Sequence, residues 1–183
     1  MKIYVMRHGT TVWNERGITQ GRTNNRLSKN GVLLTEKVSN RYKDCKFDII
    51  FCSPLMRTMQ TANIMNRPHN VKIIKDNNLI EIDQGIFTGR NKDDLSEDEK
   101  RLKALRDKST GMETYASALD RARDFLSALR KNTKYKNVLV ITHNVIASFL
   151  DDILNNVKVD FKNPDHLRNF KNAEIKTFEI KES

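Results

Sequence analysis

Val138-Leu139-Val140-Ile141, which leads into Thr142-His143, is the most strand-like run in the chain, a continuous apolar segment rich in β-branched side chains. Such a run marks a short, fully buried strand. The same pattern recurs elsewhere. Ile3 to Met6 leads into Arg7-His8-Gly9, and Ile49-Ile50-Phe51-Cys52 leads into Ser53-Pro54. Val71 to Ile74 reads as an edge strand and Ile175 to Ile180 as a last, alternating strand. Helical spacing fills the intervals. Val32, Leu34, Val38 and Tyr42 follow Ser28, a good N-cap. Met56, Met59, Ala62 and Met65 follow Ser53-Pro54, which reads as N-cap plus first helical position. Leu119, Ala122, Leu126 and Leu129 define a helix from Tyr115, and another runs from His143 to about Leu154. Arg16 to Asn30, rich in Gly, Asn, Thr and Arg, reads as a loop. Strands alternating with helices predict an α/β fold, a three-layer α/β/α sandwich on a mainly parallel sheet.

The 183 residues suit one domain spanning 1–183. Within it, 91–110 carries balanced acids and bases and reads as a small helical excursion near the active site. Hydrophobic residues are 38% and charged residues 31%, which excludes a disordered chain and an integral membrane protein. No apolar run approaches the ~18 residues of a membrane span. Arg7-His8 interrupts the first apolar run too early for a signal peptide, so a cytoplasmic location is expected. Two cysteines, Cys45 and Cys52, exclude a disulfide framework and a four-thiolate zinc site. The net charge of +10 attracts anions, whether nucleic acid, acidic membrane or phosphorylated small molecules. Basic residues are nonetheless interleaved with acidic ones, and no aromatics alternate with them as stacking platforms do. Neither a nucleic-acid nor a membrane partner is expected, and nothing specifies an oligomeric state.

In such a fold, ligands bind at the carboxyl ends of the strands. Arg7 and His8 follow the first strand, and Arg57 lies one turn beyond the second. Glu81 follows the edge strand and His143 the central one. Two histidines, two arginines and a carboxylate at one rim suit phosphoryl transfer from a monoester. A neutral imidazole attacks phosphorus, and arginine forks match the phosphoryl oxygens. A carboxylic acid protonates the leaving alkoxide and then takes a proton from water. This chemistry calls for no metal and no cofactor.

Arg7-His8-Gly9 with Asn14 resembles the signature of the histidine phosphatase superfamily, also called phosphoglycerate mutase-like. Gln20-Gly21-Arg22 and Leu27-Ser28-x-x-Gly31 are similar to its next elements. Ser53-Pro54-Leu55-x-Arg57-x-x-Gln60-Thr61-Ala62 resembles its second phosphate-binding segment. Leu79-x-Glu81-x-x-x-Gly85-x-x-x-Gly89 resembles its proton-donor loop, Gly111-x-Glu113 a helix-start element and Thr142-His143 its second histidine. The motifs run in order from residue 3 to about 150.

The resemblance implies a phosphoglycerate mutase-like fold and a metal-independent phosphatase acting on small phosphorylated metabolites. It implies a phosphohistidine on His8, with Arg7, Arg57 and His143 holding the phosphoryl group. Asn14, Arg22 and Asn144 would line the same pocket. Glu81 would be the general acid and base, with Asp83 a rival two residues on. Glu113 starts a helix and receives no catalytic role. Two positions depart from the pattern. Thr10 stands where an acidic or amide residue is usual, and Asn144 where glycine often follows the second histidine. A phosphoglycerate-type mutase and a weakly active phosphate-binding relative remain as alternatives. The mutase would require a built-out wall that the charged segment after Gly89 does not suggest. A cysteine phosphatase needs five residues between Cys and Arg, whereas Cys52 and Arg57 are separated by four, and Pro54 removes an amide.

Overall fold

The computed structural model describes residues 1–132, 134–161 and 170–180. A five-stranded sheet has the order β3-β2-β4-β1-β5, with β1 at Lys2–Arg7, β2 at Ile49–Cys52, β3 at Ile73–Lys75, β4 at Asn137–Thr142 and β5 at Ile175–Glu179. The pairings among β1, β2, β3 and β4 are parallel, and only β5 runs antiparallel, against β1. The apolar alternation sorts side chains to two faces. Ile3, Val5, Ile49, Val138 and Val140 pack under α5 (Tyr115–Arg130) and α6 (Asn144–Leu154). Tyr4, Met6, Ile50, Cys52, Leu139 and Ile141 pack under α2 (Lys29–Arg41) and α3 (Met56–Asn66). This is the expected three-layer sandwich.

Strand register decides what meets at the rim. β1 and β4 pair with Arg7 opposite Thr142, so the next residues, His8 and His143, leave adjacent strands at one level. The His8 amide donates to the Thr142 carbonyl at 3.0 Å.

Several elements differ from expectation. The third helix does not begin at Ser53-Pro54. Leu55 is its N-cap without a side-chain bond, and Asn24 Oδ1 instead accepts from the Met56 amide at 2.7 Å. β3 starts two residues late, because the Asn66 side chain occupies both the amide and the carbonyl of Val71. The buried side of α2 is Gly31, Thr35, Val38 and Ser39, leaving Val32, Leu34 and Tyr42 only half-buried. A four-residue helix, α1 (Val12–Glu15), was not anticipated; a capping box between Thr11 and Asn14 starts it. In the excursion, Ser96 and Glu99 form a second capping box for α4 (Glu97–Leu105), which has no buried residue. Arg106 ends that helix in the left-handed region (φ 49) and donates to the carbonyls of Asp83 and Glu113.

Gly31 shows the packing constraint behind the rim. An added Cβ would lie 1.9 Å from the Thr10 carbonyl oxygen. Helix propensity alone would reward alanine by about 1 kcal/mol, but the overlap with fixed backbone costs about 1–3 kcal/mol and outweighs it. Gly31→Ala is therefore expected to lower the urea midpoint, and an unchanged or raised midpoint would refute the close approach.

Candidate active site

Arg57 lies at the centre, the second residue of α3 and 1% exposed. Its Nε–H is shared between His8 Nε2 and His143 Nδ1, each at 3.2 Å. Nη1 donates to the Thr23 carbonyl at 2.7 Å and Nη2 to the Gly21 carbonyl at 2.8 Å. Gly21 adopts φ +50, the left-handed region that glycine enters without a steric cost. Burial brings Arg57 down to about 10, still cationic at neutral pH.

The partners of the two imidazoles set their tautomers. His8 Nδ1–H donates to the Gly9 carbonyl at 2.7 Å, which leaves the Nε2 lone pair directed at Arg57. His143 Nδ1 accepts from Arg57, so its Nε2–H donates to Ser53 Oγ at 2.8 Å. The rings stand edge to face with centroids 5.2 Å apart. Burial first, then the charges of Arg57 and Arg7, hold both histidines well below 6.5. Thr61 Oγ1 accepts from the Gly9 amide at 3.0 Å and fixes the turn after His8.

Arg7 completes the cationic lining. Nη1 donates to the Phe170 carbonyl at 2.5 Å, while Nε is buried without a hydrogen-bond partner. A buried guanidinium N–H without a partner leaves one donor able to take up an anion oxygen. Glu81 accepts from the amides of Ile82 and Val145. Burial raises its carboxyl above the ordinary value, against those two amides and the charges of Arg57 and Arg7. Asp83 is more open, its side chain 41% exposed and its Oδ1 taken by the Gly85 amide at 2.9 Å.

The other expected residues lie around this centre. Arg22 Nε donates to the Glu81 carbonyl at 3.1 Å and Nη2 pairs with Glu113 at 2.9 Å, so it braces the Glu81 segment. Asn14 Oδ1 serves the α1 cap and accepts from Asn172 at 3.4 Å. Asn144 is the first residue of α6, and its Oδ1 accepts from the Phe170 amide at 3.0 Å. Cys52 is buried, with burial pushing its thiol up to about 12, unsuited to thiolate chemistry at neutral pH. Among the described residues, no three His, Cys, Asp or Glu side chains cluster to hold a metal ion.

Three contributors escaped the sequence. Ser53 was visible but read as a helix cap, whereas it orients His143. Glu113 does not cap α5, since Thr114 does; it bridges Arg22 and Arg121 at 2.9 Å each. Burial alone would raise its carboxyl, but Arg121, Ser117 and Arg22 hold it below its ordinary value. The third is the segment around Phe170. Its contacts to Arg7 and Asn144 run through backbone atoms, which carry no residue-type signal.

Comparison with known proteins gives a consistent picture. The family model for the histidine phosphatase superfamily (branch 1) matches residues 3–183. Phosphoserine phosphatase 1 of Hydrogenobacter thermophilus is 30% identical over 151 residues, 79% of this chain and 72% of that protein. A protein named as a probable phosphoglycerate mutase, GpmB, of Erwinia tasmaniensis is 28% identical over 159 residues, 82% of this chain and 73% of that protein. The alpha-ribazole phosphatase structure from Shigella flexneri superposes with a TM-score of 0.86 at 22% identity, covering 99% of this chain and 91% of that one.

The proton inventory has a measurable consequence. The unfolded chain protonates its histidines near pH 6.5, while folded His8 and His143 stay neutral well below that. The folded state then binds fewer protons, so stability is full above pH 6.5 and falls as pH drops, by up to about 1.4 kcal/mol per pH unit for each histidine. Glu81 opposes this, because its raised carboxyl favours the folded state as pH falls towards the ordinary carboxyl range. Urea midpoints are expected to drop between pH 7.5 and 5.0, more steeply in Glu81→Gln. A flat profile in both proteins would contradict neutral burial.

Proposed function

Because the chain belongs to the histidine phosphatase superfamily, we propose that it hydrolyses small phosphomonoesters without a metal, through a phosphohistidine on His8. The observation that carries this reading is the His8 tautomer, with Nδ1–H held by Gly9 and a bare Nε2 facing Arg57 beside His143. When the ester enters, its phosphoryl oxygens take over the Arg57 Nε–H and occupy the unpartnered Nε of Arg7. His143 contributes a third contact. Arg22 braces the Glu81 loop at the pocket edge, and Asn14 closes the turn behind His8.

In the first step, the Nε2 lone pair of His8 forms the N–P bond as the P–O ester bond breaks, and protonated Glu81 gives its proton to the departing alkoxide. In the second, the Glu81 carboxylate takes a proton from water, the water oxygen bonds to phosphorus, and the N–P bond breaks to release phosphate. A carboxyl raised by burial suits both halves, since it must be protonated in one and ionised in the other. The exposure of Asp83 and its bond to Gly85 support Glu81 as the proton donor.

The GpmB similarity motivates the mutase alternative. Hydrolysis is favoured because α4 has no buried residue and so builds no wall against water. The described residues contain no helix long and apolar enough to cross a membrane. A cytoplasmic location and small-molecule rather than nucleic-acid partners complete the reading.

Aryl phosphate hydrolysis in the presence of EDTA tests the proposal. Wild type is expected to be active and His8→Ala to lose at least about a thousandfold. Acid quenching with labelled substrate should trap label on His8. Glu81→Gln should slow phenyl phosphate far more than p-nitrophenyl phosphate, whose leaving group needs little protonation; Asp83→Asn should not discriminate between them. Inactivity of wild type, or full activity of His8→Ala, overturns the mechanism. Transfer to an added alcohol or phosphoglycerate outpacing hydrolysis favours the mutase.

A further inference from the structure

We propose that Asn144 is a positioning residue that aims Arg7 at the phosphoryl group through the backbone of Phe170; this rests on the phosphatase reading above. The link is a short chain of two hydrogen bonds. Asn144 Oδ1 accepts from the Phe170 amide at 3.0 Å, and the Phe170 carbonyl accepts from Arg7 Nη1 at 2.5 Å. Phe170 is fully buried in the α5/α6 core, with the Lys176 ammonium 4.2 Å from its ring centroid. Phe170 is thus held at its amide by the residue after the second histidine, and its carbonyl holds the residue before the first.

The neighbouring segment closes on the same loop. The Ala173 amide is shared between the carbonyls of Arg7 and His8, both at 3.1 Å, with Ala173 in the left-handed region (φ 59). Asn172 Nδ2 donates to the His8 carbonyl at 3.2 Å, and the Arg7 amide donates to the Glu174 carbonyl at 3.1 Å. These bonds hold the backbone of residues 7 and 8. Among the described residues, the hydrogen bond that orients the Arg7 guanidinium is the one to the Phe170 carbonyl, and Asn144 fixes where that carbonyl sits. With Nη1 so engaged, Nε remains the buried, unpartnered donor for the anion.

Asn144 is not in the left-handed region, so its side chain, and not a glycine-like backbone, is what this position supplies. Its Oδ1 is committed to the Phe170 amide, so any contact of Asn144 with a phosphate would have to come from Nδ2. A guanidinium displaced by even an ångström loses much of its bidentate value. Removing the Asn144 amide leaves the Phe170 N–H without its acceptor, so the backbone at Phe170 is free to shift about its φ and ψ and carry the carbonyl away from Arg7.

Asn144→Gly and Asn144→Ala test this in wild-type and Arg7→Ala backgrounds, with phenyl phosphate at high enzyme concentration and orthovanadate titrated by calorimetry. The expected result is about a tenfold loss in kcat/KM and a matching loss in vanadate affinity in the wild-type background. With Arg7 absent, the loss should shrink below about twofold, because a residue that acts through Arg7 has nothing left to aim. A crystal structure of Asn144→Gly should show the Arg7 guanidinium moved while His8 and Arg57 keep their places. Equal losses in both backgrounds, no loss in either, or an unmoved Arg7 would overturn the proposal. If Arg7→Ala turns over too slowly to read, the position of Arg7 in the Asn144→Gly crystal decides. Should wild type hydrolyse no phosphomonoester at all, the phosphatase reading fails, while vanadate binding and the Arg7 position still judge the link.

Discussion

A single buried guanidinium organises this rim. Arg57 is almost completely removed from water, and a buried cation is tolerated only when its donors are satisfied. Its Nη groups are satisfied by carbonyls of the Gly21–Thr23 turn, which pins that loop over the ends of the strands. Its Nε–H is satisfied by two imidazole lone pairs at once, which is possible only if both histidines are neutral on the nitrogens that face it. One cation therefore fixes a loop, two tautomers and the distance between two rings. The outer contacts then follow: Gly9 takes the remaining His8 proton and Ser53 the remaining His143 proton. An anion oxygen that enters here competes for a donor already directed at His8 Nε2.

The layer architecture was legible because its signals are short-range and redundant. β2 has the expected limits and β1 and β4 extend the apolar runs by a residue at each end, and α6 ends at Leu154 as its spacing indicates. Errors came where one residue had two possible uses. Ser53-Pro54 has the form of a helix start, but the hydroxyl is needed by His143, so α3 begins at Met56 under a borrowed Asn24 cap. Glu113 has the form of a first-turn acid, but two arginines bind it.

The rim residues were legible for a different reason. Each of the five central side chains follows a strand end or lies one turn beyond it, so topology alone collects them. What did not show was the bracing. Arg22, Arg106 and Phe170 act on or through backbone carbonyls, and a carbonyl looks the same whatever side chain it belongs to. Hydrogen bonds between distant backbone segments depend on how the finished layers stack, which no local spacing encodes.

Charge accounts for why the rim pairs depressed histidines with a raised carboxyl. With both imidazoles neutral and Glu81 protonated, the central groups carry two positive charges, from Arg7 and Arg57. That matches the two negative charges of a fully ionised phosphomonoester. Protonating the histidines would add further positive charge and strengthen anion binding, but it would occupy the Nε2 lone pair of His8 on which the proposed attack depends. Ionising Glu81 before the substrate arrives would cancel one of the two charges and remove the proton that the proposed mechanism gives to the leaving group. Burial disfavours both charged forms at once, lowering the imidazoles and raising the carboxyl. The same exclusion of water that lets Arg57 hold its neighbours so firmly therefore also pushes the two imidazoles and the Glu81 carboxyl towards the neutral forms that the proposed mechanism uses.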